Sequence, residues 1–164
     1  MRNLLGCFSV CWVLFASTTA VSFAQKPHSY VADANREYGA IFSHPENPCA
    51  TKQNTASYAD CIGKEVSFVE AHLSNLLTAI RGIASQDDAG AAVNSSARGM
   101  SELALVNKAD SSWHQYRTSI CDLAAAGMAG GSGEGNAISE CVFKIDRVHA
   151  RQMADAVYLH TLAE

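Results

Sequence analysis

Six cysteines in 164 residues are the side chains with the most chemistry to offer. Thiolates ligate zinc, attack as nucleophiles or pair as disulfides, and their spacing separates these uses. Cys7 and Cys11 fall in an apolar N-terminal run, while Cys49, Cys61, Cys121 and Cys141 are spread along the rest. No Cys-x-x-Cys pair and no His-x(3–5)-His motif accompanies them, which argues against a zinc site. Nucleophilic catalysis finds no better support. Gly130-Gly131-Ser132-Gly133-Glu134 misses the Gly-x-Ser-x-Gly elbow at its last position, and Ser-x-x-Lys is absent. A helical di-iron site repeats Glu-x-x-His, and only a single Asp146-x-x-His149 occurs. His72, His114, His149 and His160 share no spacing that would build one site. There is no P-loop and no Gly-x-Gly-x-x-Gly. The reading is a non-enzyme with no catalytic residue, no metal and no cofactor.

The elements that carry the cysteines begin after a leader. Arg2 precedes an apolar run over 4–16, and Ser22-Phe23-Ala24 places small residues before a cut at Gln25. This pattern predicts a signal peptide over 1–24, with cleavage after Ala20 as the second choice. An uncleaved anchor over 4–24 is the rival, since that length just spans a bilayer. Cys7 precedes most of the apolar core, so a lipoprotein-type modification there does not fit. Cleavage removes Cys7, Cys11 and one arginine, moving the net charge from −4 to −5. A pI near 5.8 excludes a general nucleic-acid binder. After cleavage nothing calls for a membrane, and the location expected is periplasmic or secreted.

Hydrophobic periodicity predicts an all-α chain. Ile62, Val66, Val69, Leu73, Leu76, Ile80 and Ile83 recur at spacings of three and four, with Leu77 widening the stripe. They predict a helix over about 57–84, ended by Asp87-Asp88-Ala89-Gly90. Val106, Ala109, Trp113, Tyr116, Ile120 and Leu123 predict a second, ending near Gly127. Gly130 to Gly135 reads as a flexible loop. Ile138, Val142, Ile145, Val148, Met153 and Val157 predict a third. Three main helices favour a small antiparallel bundle over 49–162. Residues 25–48 read as a leader, partly disordered or with a short helix at 31–42.

Four cysteines in an exported chain read as two disulfides, because that compartment is oxidising. Sequential proximity favours Cys49–Cys61 and Cys121–Cys141, each stapling a chain reversal worth on the order of 3 kcal/mol. Cys61 with Cys121 remains open where their helices are neighbours. Trp113, Tyr116, Arg117 and Cys121 have the most specific spacing. Arg117 stands one turn beyond Trp113, so its guanidinium can lie over the indole. The set reads as a structural corner, with an exposed recognition patch as the alternative.

These residues resemble a known family. Trp113-His-Gln-Tyr116-Arg117-Thr-Ser-Ile-Cys121, then Gly130-Gly131, then Cys141 with Arg147 or Arg151 downstream, is similar to the LprI-like lysozyme-inhibitor domain family. Two cysteines about a dozen residues apart upstream, here Cys49 and Cys61, match as well. The resemblance covers 47–162. It departs at Ala109-Asp110, where the family usually has Ala-Gln, and at Leu73-Ser74 and Leu77, where Leu-Asn and then a tyrosine are common. It implies a helical protein that binds a lysozyme-type cell-wall hydrolase and occludes its cleft. Many lysozymes are cationic, so a net −5 would speed encounter. The candidate contact is the 127–136 segment with Ser132 and Glu134. The other function class is a non-inhibitory envelope module that binds another protein or a small ligand.

Overall fold

The computed structural model describes residues 29–94, 101–131 and 133–161, and side chains outside 91–94 and 158–161. The leader over 1–24 and Ser132 therefore lie outside the described residues. Four helices are present: α1 (Tyr30–Ser43), α2 (Thr55–Asn94), α3 (Glu102–Ala126) and α4 (Glu134–Thr161). The described residues hold no strand, so the class is all-α, with four helices rather than about three.

The additional helix is α1, and it is no loose leader. Ser29 caps it by accepting the Ala32 N–H. Ala34, Glu37 and Ile41 then face the bundle, Ile41 completely. The Glu37 carboxylate accepts from Arg36, from His72 at 2.7 Å and from Asn75 at 3.3 Å, the last two on α2. Those bonds, led by His72, hold Glu37 below the usual carboxylate range despite its burial. Its buried positions are two apolar residues and one acid, too few for a strong periodic signal, while Tyr38 and Phe42 are partly buried against the core.

α2 is the central rod, about 60 Å long at 1.5 Å per residue. Its inward stripe is the apolar series read from the sequence, with Val69, Leu73, Leu76, Leu77, Ile80 and Ile83 all buried. It does not end at Ala84. Asp88 stays helical and uses its carboxylate to cap α3, accepting the Glu102 N–H at 2.7 Å and the Leu103 N–H at 3.1 Å. The acidic pair that reads as a helix stop serves the start of the next helix instead. Likewise α4 begins at Glu134, inside the stretch expected to be loop.

Contacts between elements define the topology. α2 and α4 touch each other and both α1 and α3, whereas α1 and α3 do not meet. His44–Glu65 with Glu37–His72 sets α1 antiparallel to α2, Glu70–Arg117 with Arg81–Asp110 sets α2 antiparallel to α3, and Arg117–Asp146 with Asp110–His149 sets α3 antiparallel to α4. Cys49 bonds to Cys61 (Cα–Cα 5.9 Å), tying the α1–α2 connection to α2. Cys121 bonds to Cys141 (Cα–Cα 5.4 Å), closing the α3–α4 reversal.

Gly82 on α2 lets α1 approach. A Cβ there would clash with the Tyr30 ring, whereas one at Gly63 meets nothing within 4 Å. Gly82→Ala should therefore cost about 1–3 kcal/mol by forcing the ring aside. Gly63→Ala should instead stabilise by about 0.5–1 kcal/mol, because helical glycine carries an entropic cost. Urea titration of both variants checks this, and equal effects at the two glycines would contradict it.

Candidate functional site

α3 buries a face that the apolar pattern marks only in part, at Val106 and Trp113. Its inward positions are Val106, Asp110, Trp113, Arg117, Cys121 and Ala125. Ala109, Tyr116 and Leu123, expected in the core, are exposed, Tyr116 at 56% and Leu123 at 69%. α4 shows the same offset. Val148 is 50% exposed, while Phe143, Asp146, Arg147, His149, Ala150, Met153 and Ala154 are buried. Both helices turn charged residues inward, so part of the apolar series falls on a neighbouring stripe, while Val106, Trp113 and Met153 face the core.

Those charges line a cleft of about 330 Å³ between α2, α3 and α4. Asp146 is fully buried, and its Oδ1 lies 2.9 Å from Arg117 Nε. The contact is an ion pair without hydrogen-bond alignment, since neither Asp146 oxygen has a hydrogen-bond partner. The other side of the guanidinium reaches Glu70 of α2. Trp113 is stacked on His149 at 4.2 Å and 6°, and Arg117 sits 5.5 Å from the indole centroid. Asp110 accepts from Arg81 at 2.6 Å and faces His114 and His149 at 3.6 and 3.8 Å. Asp110 adds a carboxylate to this cleft.

Of the residues singled out in the sequence, Trp113, Arg117 and Cys121 share the inward face, and Tyr116 points away from it. Glu134 stands in the first turn of α4, where its Oε2 accepts the Gly130 N–H at 3.1 Å. Gly130 has φ +77°, which favours glycine at that point of the turn. Sequence reasoning did not single out Glu70, Arg81, Asp110 or Asp146 as parts of one site. The signal was there at helical spacing, in Asp110, Trp113 and Arg117 on one face and Asp146 and His149 on the other helix.

The family model described as lysozyme inhibitor LprI matches residues 46–153, well over half of the chain. The chain belongs to this family. No curated protein and no solved structure matches it. The span matched by the LprI model begins after α1 and runs through both disulfides and the whole cleft. Among the described residues no helix is long and apolar enough to cross a membrane, and no cluster of His, Cys, Asp or Glu could hold a metal.

Burial pushes Asp146 up from 3.8 to about 7, against the pull of Arg117 and with the Glu70 charge adding to the rise. Burial pushes His149 down from 6.5 to about 4, opposed by Asp110 and aided by His114. The two have opposite linkage. A raised carboxylate pKa stabilises the fold at low pH, an effect lost as pH rises through 7. A depressed histidine pKa contributes stability above 6.5 that is lost as pH falls through 4. Between these limits they offset. His149→Gln should therefore lose stability as pH rises from 4 to 7, and Asp146→Asn should gain stability as pH rises from 4 to 6.5. Denaturant unfolding across this range checks both slopes. Flat profiles in both variants would contradict the assignment.

Proposed function

We propose that the protein is an exported inhibitor that binds a lysozyme-type cell-wall hydrolase and occludes its cleft. The observation that carries this reading is the LprI family match over 46–153. Two disulfides suit an oxidising compartment outside the cytoplasm. The acidic balance suits a cationic partner, and the leader over 1–24 supplies the export route. The protein acts by binding and carries out no reaction of its own. Nucleic acid plays no part, and after leader removal neither does the membrane.

The contact we assign is the α3–α4 turn, residues 127–136. Residues 127–131 are exposed, and the Cys121–Cys141 bond holds the two helix ends beneath them. A presented turn of this kind reaches into a cleft that relies on two carboxylates, with Ser132 and Glu134 as its polar contacts. The disulfide and the Glu134–Gly130 bond reduce the ordering needed on binding, which conserves affinity.

A turbidity assay of lysozyme on cell walls, with the oxidised protein at low salt, tests the reading. Inhibition that weakens with ionic strength is expected, since charge steering is screened. The Ser132→Ala/Glu134→Ala double variant should lose at least about tenfold in potency, equal to about 1.4 kcal/mol. Glu134→Gln retains an acceptor for Gly130 and separates charge from turn geometry. No complex at low salt would favour the non-inhibitory envelope module, and unchanged potency of the double variant would move the contact off the turn.

A further inference from the structure

A groove on the described surface has no part in the contact proposed above. It holds about 610 Å³ and runs between the end of α1 and α4. Phe42, Phe143 and Val148 give it an apolar floor. Arg147 and Arg151, one turn apart on α4, place their guanidinium carbons 4.9 and 5.0 Å from the Phe42 ring centroid. Arg147 is only 9% exposed, and one of its terminal nitrogens donates to the Ile41 and His44 carbonyls at 3.1 and 3.0 Å. Neither arginine is in ion-pair contact with a carboxylate among the described residues, and the Glu46 and Glu65 charges act on Arg147 from beyond ion-pair distance. The like charge of Arg151 opposes them. A bound anion adds a counter-charge in direct contact with the guanidinium groups, and Arg geometry favours a planar carboxylate.

The rest of the lining narrows the ligand. Lys144 is paired with Glu140, and Glu46 and Asp155 stand in the same groove. These two acids would repel a polyanion such as a nucleotide or a phosphorylated chain. They tolerate a single carboxylate placed between the two arginines. The aromatic floor beside them accepts an apolar side chain next to that carboxylate. The volume falls in the range of small-ligand sites.

We propose that the α1–α4 groove is a binding site for a short peptide ending in a free α-carboxylate next to an apolar side chain, with Arg147 and Arg151 holding the carboxylate. The site does not rest on the hydrolase reading. It lies on the α1 side of α4, and α1 makes no contact with α3.

The probe is N-acetyl-Ala-Ala-Phe as the free acid, set against its C-terminal amide and against an amidated peptide carrying an internal glutamate. Amide shifts of the isotope-labelled, oxidised, leader-free protein are followed during titration. The free acid should give saturable shifts at Phe42, Val148 and Arg151, with the amide at least tenfold weaker. The internal-glutamate peptide should also bind at least tenfold more weakly than the free acid. Arg151 is exposed, so Arg151→Gln should keep the fold, bind the free acid about tenfold more weakly and leave hydrolase inhibition unchanged. Arg151→Lys retains the charge and should recover only part of the affinity, because the planar fork is lost. Equal binding of acid and amide, no saturable shift up to tens of millimolar, or an unaffected Arg151→Gln would each overturn the proposal. An internal-glutamate peptide that binds as well as the free acid would overturn the terminal carboxylate as the ligand.

Discussion

Asp146 is a carboxylate with no exposed surface in the middle of α4, and the way Arg117 meets it sets the arrangement of three helices. Removing a charge from water costs several kcal/mol, recovered only if an opposite charge is held close. Arg117 supplies that charge from α3 and at the same time reaches Glu70 on α2. One guanidinium thus binds three helices in a single register. Trp113 fills the space beside it and stacks on His149, while Asp110 and Arg81 join α3 to α2 one turn away. The pairing specifies how α3 docks rather than adding much net stability, since buried ion pairs roughly break even against apolar packing.

That constraint also explains what the sequence disclosed. α2 faces apolar partners along most of its length, so its stripe from Ile62 to Ile83 could be read directly. α3 and α4 face each other through Asp110, Arg117, Asp146 and His149, and a reading that equates inward with apolar selects Ala109, Tyr116, Leu123 and Val148 instead. The helices were legible from periodicity, but their orientation only in part, at Val106, Trp113 and Met153. α3 starts at a local cap, Ser101, and Asp88 on α2 accepts two further N–H groups there, a contact that sequence alone does not show. The short helix read at 31–42 is α1, but its docking through Glu37 and the space left by Gly82 was not legible. The two cysteine pairs favoured by proximity are the pairs at bonding distance. The tryptophan–arginine–cysteine spacing pointed to the family before any geometry was known, because one inward face requires those residues at helical intervals.

The two surfaces proposed for binding lie at separate places in the fold. The α3–α4 turn is held by a disulfide and lies within the span shared with the LprI family. The α1–α4 groove depends on Phe42 and on carbonyls at the end of α1, all before that span begins. Arg147 links the groove to the bundle by donating to the last carbonyls of α1, which helix geometry leaves without partners. α1, which lies ahead of the matched span, thereby supplies one wall of this groove.

A double-mutant cycle on Arg117 and Asp146 addresses the central constraint most directly. Unfolding free energies are measured for Arg117→Met, Asp146→Leu and the double variant, at a pH well above 7, where the Asp146 carboxyl is ionised. The account predicts that Arg117→Met alone costs about 3–5 kcal/mol, because it strands a buried charge. The double variant should recover much of that loss, with a coupling above about 1.5 kcal/mol. Costs that add to within about 0.5 kcal/mol would show that the pair does not organise the bundle.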